Sequence, residues 1–165
     1  MQTTRTRRIV LLVLTLYIAF VFIQSLFFKF SNSPETQYIF GTLNAWGASL
    51  GFPGLFATTG IFSQYVVGST ELLASTLLLG GLVLGLPLLH AAGALVSLGV
   101  ISGAIFFHLF TPLGVQVLNT DGTRDGGELF MLACGVWLSA AAILFLRRHE
   151  VLAVLPGRIA RPAIQ

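Results

Sequence analysis

Four long runs of apolar residues, separated by shorter polar segments, dominate the hydrophobic pattern of the chain. The runs predict helices over residues 9–28, 62–86, 89–110 and 126–146. A run of about 20 residues, at about 1.5 Å of rise per residue, spans the hydrocarbon layer of a bilayer. The pattern therefore predicts an all-α membrane protein. Its single domain, residues 1–150, is a four-helix transmembrane bundle, and residues 151–165 form a tail.

The segment between the first two runs begins with Ser33, Pro34 and Glu35. These residues are typical of a helix start, as N-cap, first-turn proline and first-turn acid. Apolar residues then recur at helical spacing before Gly51 and Pro53, namely Ile39, Leu43, Trp46 and Leu50. This spacing predicts a short amphipathic helix that lies at the membrane interface between helices 1 and 2.

Composition argues against a soluble domain, because only 9% of the 165 residues are charged and 55% are hydrophobic. Soluble domains carry about 25% charged residues. The net charge of +3 comes without a basic patch among aromatic residues, so a nucleic-acid partner is not expected. Cys134 is the only cysteine, which excludes an intrachain disulfide and a CxxC redox pair.

The basic residues predict the orientation of the bundle. Seven arginines flank the first and last helices: Arg5, Arg7, Arg8, Arg147, Arg148, Arg158 and Arg161. Only Lys29 and Arg124 lie in the segments on the opposite side. Since short cytoplasmic segments are enriched in Lys and Arg, both termini are expected in the cytoplasm.

Polar residues of all four helices converge on the outer level when the helices alternate in direction. These residues are Lys29, Glu71, His108, Asp125 and Glu128. The inner half is predicted to be almost wholly apolar. Ionisable groups in a membrane are costly and usually face the bundle interior with a partner, so this level is the candidate site.

Glu71 is the strongest candidate for a functional residue within a membrane span, with Lys29 or His108 as its positive partner. One hypothesis is that Glu71 and His108 relay a proton to or from a bound ligand. The alternative is an ion pair that only fixes helix packing. Asp125 and Glu128 match a capping box, which is itself compatible with anion binding at the helix start.

Haem and metal sites are not predicted. His90 and His108 lie about 27 Å apart along one helix, so they cannot ligate one haem. A metal held by His108, Glu71 and a helix-4 carboxylate has no recognised ligand spacing. The two small-residue motifs, Gly81-x-x-x-Gly85 and Gly99-x-x-x-Gly103, indicate close helix packing within the bundle or a dimer face.

Three short stretches resemble the DoxX and DoxX-like family of small four-helix membrane proteins. They are Gly68-Ser-Thr-Glu71-Leu-Leu, Gly99-Val-Ile-Ser-Gly-Ala-Ile-Phe-Phe-His108 and Asp125-Gly-Gly127, with Lys29 in the same pattern. The resemblance extends over about residues 9–148. It implies a multi-pass protein of the plasma (inner) membrane that is linked to redox work, as a subunit of thiosulfate:quinone oxidoreductase or as a partner of soluble redox enzymes. It also implies roles for Glu71, His108 and Asp125.

Three functional hypotheses follow. The first is a quinone-interacting subunit of a membrane oxidoreductase, with Glu71 and His108 as catalytic residues and Lys29, Asp125 and Glu128 as cofactor-binding residues. The second is a non-catalytic accessory or assembly subunit that packs against a larger complex. The third, a small transporter or channel, is disfavoured by the size of the chain and by the nearly uncharged inner half. The expected partners are the bilayer and other membrane or redox-complex subunits, and a homo-oligomer of the chain is a further alternative.

Overall fold

A computed structural model describes residues 2–119 and 121–153 of the chain, with side chains from Arg5 onward. The helices in this part are α1 (Gln2–Phe30), α2 (Pro34–Ser49), α3 (Gln64–Val83), α4 (Pro87–Phe110) and α5 (Glu128–Leu152). Four of them, α1, α3, α4 and α5, are long and apolar enough to cross a membrane. The predicted all-α bundle of four membrane spans, with a short extra helix after the first, is confirmed.

The four spans form a closed ring in which α3 packs on α1 and α4, and α5 packs on α4 and α1. Arg7 of α1 pairs with Glu150 of α5 at 2.6 Å, so the first turns of α1 and the last turns of α5 lie at the same end of the bundle, called the termini end below. The interior is apolar over most of its length, because each span turns one face inward. Its largest buried apolar side chains are Ile18, Phe22, Leu78, Val136 and Ile143.

The opposite end of the bundle is covered by α2 together with segments 50–63 and 111–127, which we call the cap. A second apolar cluster holds the cap together, with Leu43, Phe56, Leu113 and Val117 buried at its centre. The ring of Phe107, from α4, lies edge-on to Phe56 at 5.2 Å between centroids and so joins the cap to the bundle. Ser33 caps α2 as predicted, because its hydroxyl accepts a hydrogen bond from the Thr36 backbone N–H at 3.3 Å.

Several helix bounds differ from the predicted ones. Helix α3 is shorter than residues 62–86, since the Ser63 hydroxyl caps it and Gly85 leaves the helical region with a φ of 65°. Helix α4 begins at Pro87, two residues before the predicted start at residue 89. Helices α1 and α5 extend beyond the apolar runs into their flanking charged residues. Hydropathy predicts which residues lie in the hydrocarbon layer. A helix can extend beyond that layer into water, as long as its backbone hydrogen bonds continue. Residues 154–165 of the predicted tail lie outside the described residues.

Only one of the two predicted glycine motifs marks a close contact inside the chain. A Cβ at Gly81 would lie 2.6 Å from Cα of His90, so this glycine lets α3 and α4 approach closely. Gly93, which no predicted motif included, does the same against the Leu78 backbone N at 2.6 Å. By contrast, a Cβ at Gly99 would meet nothing within 4 Å, and one at Gly103 would only touch the Phe107 ring at 4.0 Å.

Candidate functional site

Glu71 forms a buried ion pair with Lys29 between α3 and α1, near the cap end of the bundle. The Lys29 Nζ lies 3.0 Å from Oε2 and 3.1 Å from Oε1 of Glu71, and the two side chains are 15% and 7% exposed. The hydroxyl of Ser25 accepts a hydrogen bond from Lys29 and donates one to Glu71 Oε2 at 3.0 Å. Of the two predicted partners of Glu71, the structure selects Lys29.

The contact between the start of α3 and the end of α1 positions this pair. The side-chain amide of Gln64 donates to the Lys29 carbonyl at 2.9 Å and to Asn32 Oδ1 at 3.0 Å. Gly68 leaves room for α1, since a Cβ there would lie 3.3 Å from the Phe30 ring and 3.5 Å from Cδ of Lys29. One helical turn separates Ser25 from Lys29, so both side chains reach the same carboxylate.

His108 lies near the cap end of α4, and its hydrogen bond goes to the cap. Its Nδ1 is 2.6 Å from the Gly114 carbonyl oxygen. Because a carbonyl only accepts, Nδ1 carries the proton and donates it. The Phe130 ring lies 5.7 Å away, edge-on. Among the described residues, the carboxylate of Glu71 hydrogen-bonds to Lys29 and Ser25, so the structure does not join Glu71 and His108 directly.

Asp125 organises the second cap segment. Its Oδ1 accepts hydrogen bonds from the backbone N–H groups of Val117 (2.8 Å) and Gly127 (2.9 Å), and Oδ2 accepts one from Leu129 (3.1 Å). Partial burial raises the pKa of this carboxyl. The three backbone hydrogen bonds and nearby His108 together lower it by more, so the pKa lies below its ordinary value.

The predicted capping box is wrong in its positions. The N-cap of α5 is Gly127, with a φ of 91°, and Glu128 is an exposed first helical residue that does not reach back to Asp125. Gly126 and Gly127 both have positive φ and place one more turn between Asp125 and the helix. The Asp125 carboxylate still binds a backbone N–H of the first turn, because the turn folds it back over the helix start.

A buried polar cluster near the termini end was not predicted. His90 of α4 is fully buried, and its Nε2 lies 2.8 Å from Thr15 Oγ1 of α1. The Arg147 Nε of α5 donates to His90 Nδ1 at 3.3 Å. Together with Gly81 of α3, which lies against the His90 backbone, all four spans meet at this histidine. The prediction of an almost wholly apolar inner half is therefore wrong.

A sequence signal for this cluster exists. His90 is in phase with Ala94, Ser97 and Ile101, which are all buried, so the helical period of α4 points His90 into the bundle. The sequence does not identify the partners of His90. Thr15 is a weakly polar residue within an apolar run, and Arg147 resembles the other charged residues that flank the helices.

Ion pairs extend this cluster toward the end of the bundle. The Arg147 Nη1 lies 3.5 Å and the Arg7 Nη2 lies 2.6 Å from the same Glu150 oxygen, Oε1. Arg7 also donates to the Leu146 carbonyl. One carboxylate thus holds arginines of α1 and α5 together.

No protein-family model matches the chain, and neither a curated protein nor a solved structure is detectably similar to it. Within residues 2–119 and 121–153, no three His, Cys, Asp or Glu side chains are grouped so that they could hold a metal ion. The resemblance to the DoxX family stays a prediction, carried by Glu71, His108 and Asp125.

Proposed function

We propose that the protein is a quinone-interacting membrane subunit of a redox complex, with the Lys29–Glu71 pair as the polar anchor of the quinone. The supporting observation is the pair itself, which lies almost completely buried between two membrane spans. Charged side chains inside membrane spans are costly, and they usually mark a ligand, ion or proton pathway. Cys134, the only cysteine, offers no disulfide pair for electron transfer, so the proposal assigns the electron donor to a partner protein.

The pair has the chemistry that a quinone head group requires. A bound quinone supplies the two-electron chemistry, and its reduction to the quinol takes up two protons. The Lys29 ammonium donates hydrogen bonds and stabilises negative charge on a head-group oxygen, while the Glu71 carboxylate accepts or returns a proton. Lys29 donates hydrogen bonds to Ser25 and to Glu71 Oε1, and Ser25 in turn donates to Glu71 Oε2. Ser25 thus holds both charged side chains in position, so the proposed binding depends on Ser25 as well as on the charges.

The proposal puts the quinone at an open depression on the outward face of α3, next to the bilayer. It has a volume of about 380 Å³ and is lined by Tyr65, Val66, Ser69, Thr70 and Leu73. Glu71 follows Thr70 directly but points into the bundle, so the proposal requires the head group to pass the edge of α3.

The proposal gives a structural role to three residues that were predicted as catalytic or cofactor-binding, namely His108, Asp125 and Glu128. His108 and Asp125 tie segment 111–127 to α4 and α5, and Glu128 is exposed. They shape the cap above the Lys29–Glu71 pair, and no direct proton transfer between Glu71 and His108 is part of the proposal.

Quinone retention in purified protein tests the proposal. The full chain is purified in mild detergent from cells that make quinone, and quinone per protein is measured by mass spectrometry after solvent extraction. Glu71→Gln and Ser25→Ala are compared with Asp121→Asn, a matched loss of a carboxylate at an exposed cap position. We expect about a fivefold or larger loss for the first two variants, equal to about 1 kcal/mol, and no loss for Asp121→Asn. Equal retention in all three folded variants would overturn the proposal.

The second candidate function, an accessory subunit of a larger complex, is favoured by how the buried charges are satisfied. Lys29 pairs with Glu71, and Arg7 and Arg147 pair with Glu150, so these ionisable groups are neutralised without a ligand. A buried pair whose charges satisfy each other can have a structural role alone, because each charge compensates the other and only the loss of one partner leaves an unpaired buried charge. Retention of a stoichiometric protein partner in mild detergent, together with a quinone content no higher than that of the surrounding lipid, would support this function over the first.

A further inference from the structure

We propose that segment 50–63 of the cap, rather than the outer face of α2, lies in the interfacial layer of the bilayer beside the start of α3. The partner of this surface is therefore lipid, at the level where acyl chains meet head groups. This inference is independent of the proposed quinone function. It rests on the exposed side chains of the segment, on its internal hydrogen bonds and on its continuity with α3.

Large apolar side chains are exposed on segment 50–63 but not on α2. Within Pro34–Ser49, all of which the structure describes, the large apolar side chains pack into the cap, and none of them is exposed. The exposed large apolar residues of segment 50–63 are Leu50 (55%), Phe52 (61%), Ile61 (67%) and Phe62 (45%). Because the apolar face of α2 is already used inside the cap, the segment offers the apolar surface that a membrane contact requires.

The segment folds back on itself and forms one compact loop. The Phe62 backbone N–H donates a hydrogen bond to the Leu55 carbonyl at 3.1 Å. A Cβ at Gly60 would overlap the carbonyl oxygens of Gly54 and Leu55, so the two arms of the loop are in direct contact. The exposed apolar residues at both ends of the segment thus belong to a single ordered unit.

Backbone hydrogen bonds suit this loop to a membrane surface. Unpaired backbone N–H groups are costly near hydrocarbon, where little water is present to bind them. Pro53 has no N–H, and the N–H groups of Leu50, Phe52 and Phe62 donate to carbonyls of α2 or of the loop itself. These three exposed apolar residues can therefore approach the acyl chains without an unpaired donor.

The inner face of the loop fixes its height along the bundle. Phe56 is buried, and its ring lies 5.8 Å from the Phe62 ring and 5.2 Å from the Phe107 ring between centroids. Since Phe107 belongs to the membrane-spanning helix α4, the loop is held against a span and not only against the rest of the cap.

The exposed surface of the loop continues into the lipid-facing surface of α3. Tyr65 and Val66, in the first turn of that span, are 38% and 46% exposed. Ile61 and Phe62 directly precede Ser63, the N-cap of α3. This continuity favours lipid over a partner from the water, because the same apolar surface is already shared with a membrane span.

Charge separates this part of the cap from the rest. The sequence contains no charged residue between Glu35 and Glu71. By contrast, segment 111–127 exposes Asp121 and Arg124. Charged side chains are costly to bring into the bilayer, so segment 111–127 is expected to face water while segment 50–63 contacts lipid.

Spin-label accessibility in phosphatidylcholine vesicles tests the position of the loop. The full chain carries Cys134→Ala, which removes its only cysteine, and single labels are attached through Phe52→Cys or Ile61→Cys. Collisions of the label with oxygen, which concentrates in lipid, are compared with collisions with a water-soluble nickel chelate. Circular dichroism selects the variants that keep the helix content of the native chain.

Three further labelled positions are the matched controls. Leu95→Cys, at a position 61% exposed on α4, is the lipid reference. Thr123→Cys, at an exposed position of segment 111–127, is the water reference. Ala45→Cys reports on the exposed outer face of α2.

We expect the ratio of oxygen to nickel-chelate collisions at residues 52 and 61 to exceed the ratio at residue 123 by about fivefold or more, because moving a polar solute out of water costs about 1 kcal/mol or more. The ratio at residue 45 should stay close to that at residue 123. Ratios at residues 52 and 61 equal to the water reference would overturn the proposal. Loss of both kinds of collision there would also overturn it, since a second copy of the chain would then cover the surface. A ratio at residue 45 as high as at residue 61 would contradict the assignment of the contact to segment 50–63.

Discussion

The Arg147 guanidinium donates a hydrogen bond from Nε to Nδ1 of His90 at 3.3 Å, and this contact defines the protonation of a fully buried histidine. Arginine has no acceptor, so Nδ1 must offer its lone pair. The imidazole is then neutral, carries its proton on Nε2 and donates it to Thr15 at 2.8 Å. The ring therefore links α1, α4 and α5 by two directional hydrogen bonds.

Replacing His90 should destabilise the bundle because two buried polar partners would be left unsatisfied. We expect His90→Ala to lower the free energy of unfolding by about 3 kcal/mol or more, from the lost packing and the unpaired partners. Thr15→Val should cost about 1–2 kcal/mol, since it removes one hydrogen bond at similar volume. Thermal unfolding in detergent, followed by circular dichroism, gives the comparison. His149→Ala, at an exposed position of α5, is the control and should unfold as the native chain does.

The two glycines Gly81 and Gly99 offer a matched pair of substitutions on the packing of α3 and α4. Gly81→Ala should destabilise by about 1–3 kcal/mol, because the new Cβ would overlap the backbone of His90. Gly99→Ala has open space and should change stability by no more than about 1 kcal/mol, in the stabilising direction set by helix propensity. Denaturation of both variants in one detergent measures the difference. Equal effects would show that the close approach at Gly81 is not maintained.

The Lys29–Glu71 pair should show strong energetic coupling. Removing one partner leaves a buried charge, and such single substitutions destabilise by about 3–5 kcal/mol. The double variant Lys29→Met/Glu71→Met leaves no charge behind and should be more stable than the sum of its single variants predicts. A double-mutant cycle from unfolding free energies measures this coupling. Additive effects would mean that the two side chains do not interact in the folded protein.

Acid should loosen segment 111–127 before it unfolds the bundle. The pKa of Asp125 is lowered in the folded chain, so its ionised form stabilises the fold at every pH above the ordinary carboxyl value of about 3.9. This contribution is lost as the pH falls through the lowered pKa, because a protonated carboxyl accepts the backbone N–H groups poorly. Protection of the Val117 and Leu129 amides against hydrogen exchange, corrected for the intrinsic exchange rate at each pH between neutral pH and pH 3, should fall at the acid end of this range.

Asp125→Asn is the control for this pH dependence. Without a titrating carboxylate, exchange at Val117 and Leu129 should already be fast at neutral pH and should follow only the intrinsic dependence on acid. A native chain and a variant with parallel pH profiles would contradict the role assigned to Asp125.

Local sequence patterns were sufficient to predict the four spans and α2. The four apolar runs, in a chain with a mean hydropathy of +0.89, and the Ser33-Pro34-Glu35 start of α2 correspond to helices of the structure, because each depends on neighbouring residues alone. Several predicted bounds were wrong; α5, for example, continues past residue 146 through a charged turn that hydropathy cannot distinguish from a helix end. The capping box failed because positive φ at two consecutive glycines changed the geometry of the turn.

The amino-acid sequence by itself determined how many helices could cross a membrane and which residues would be costly to bury, because hydrophobicity and helical period are properties of consecutive residues. The tertiary structure decided which of these costly residues meet. It paired Glu71 with Lys29 instead of His108, and it joined His90 to Thr15 and Arg147. Those pairings depend on the rotation and height of each helix in the ring, which close contacts such as Gly81 against His90 set between residues far apart in the chain.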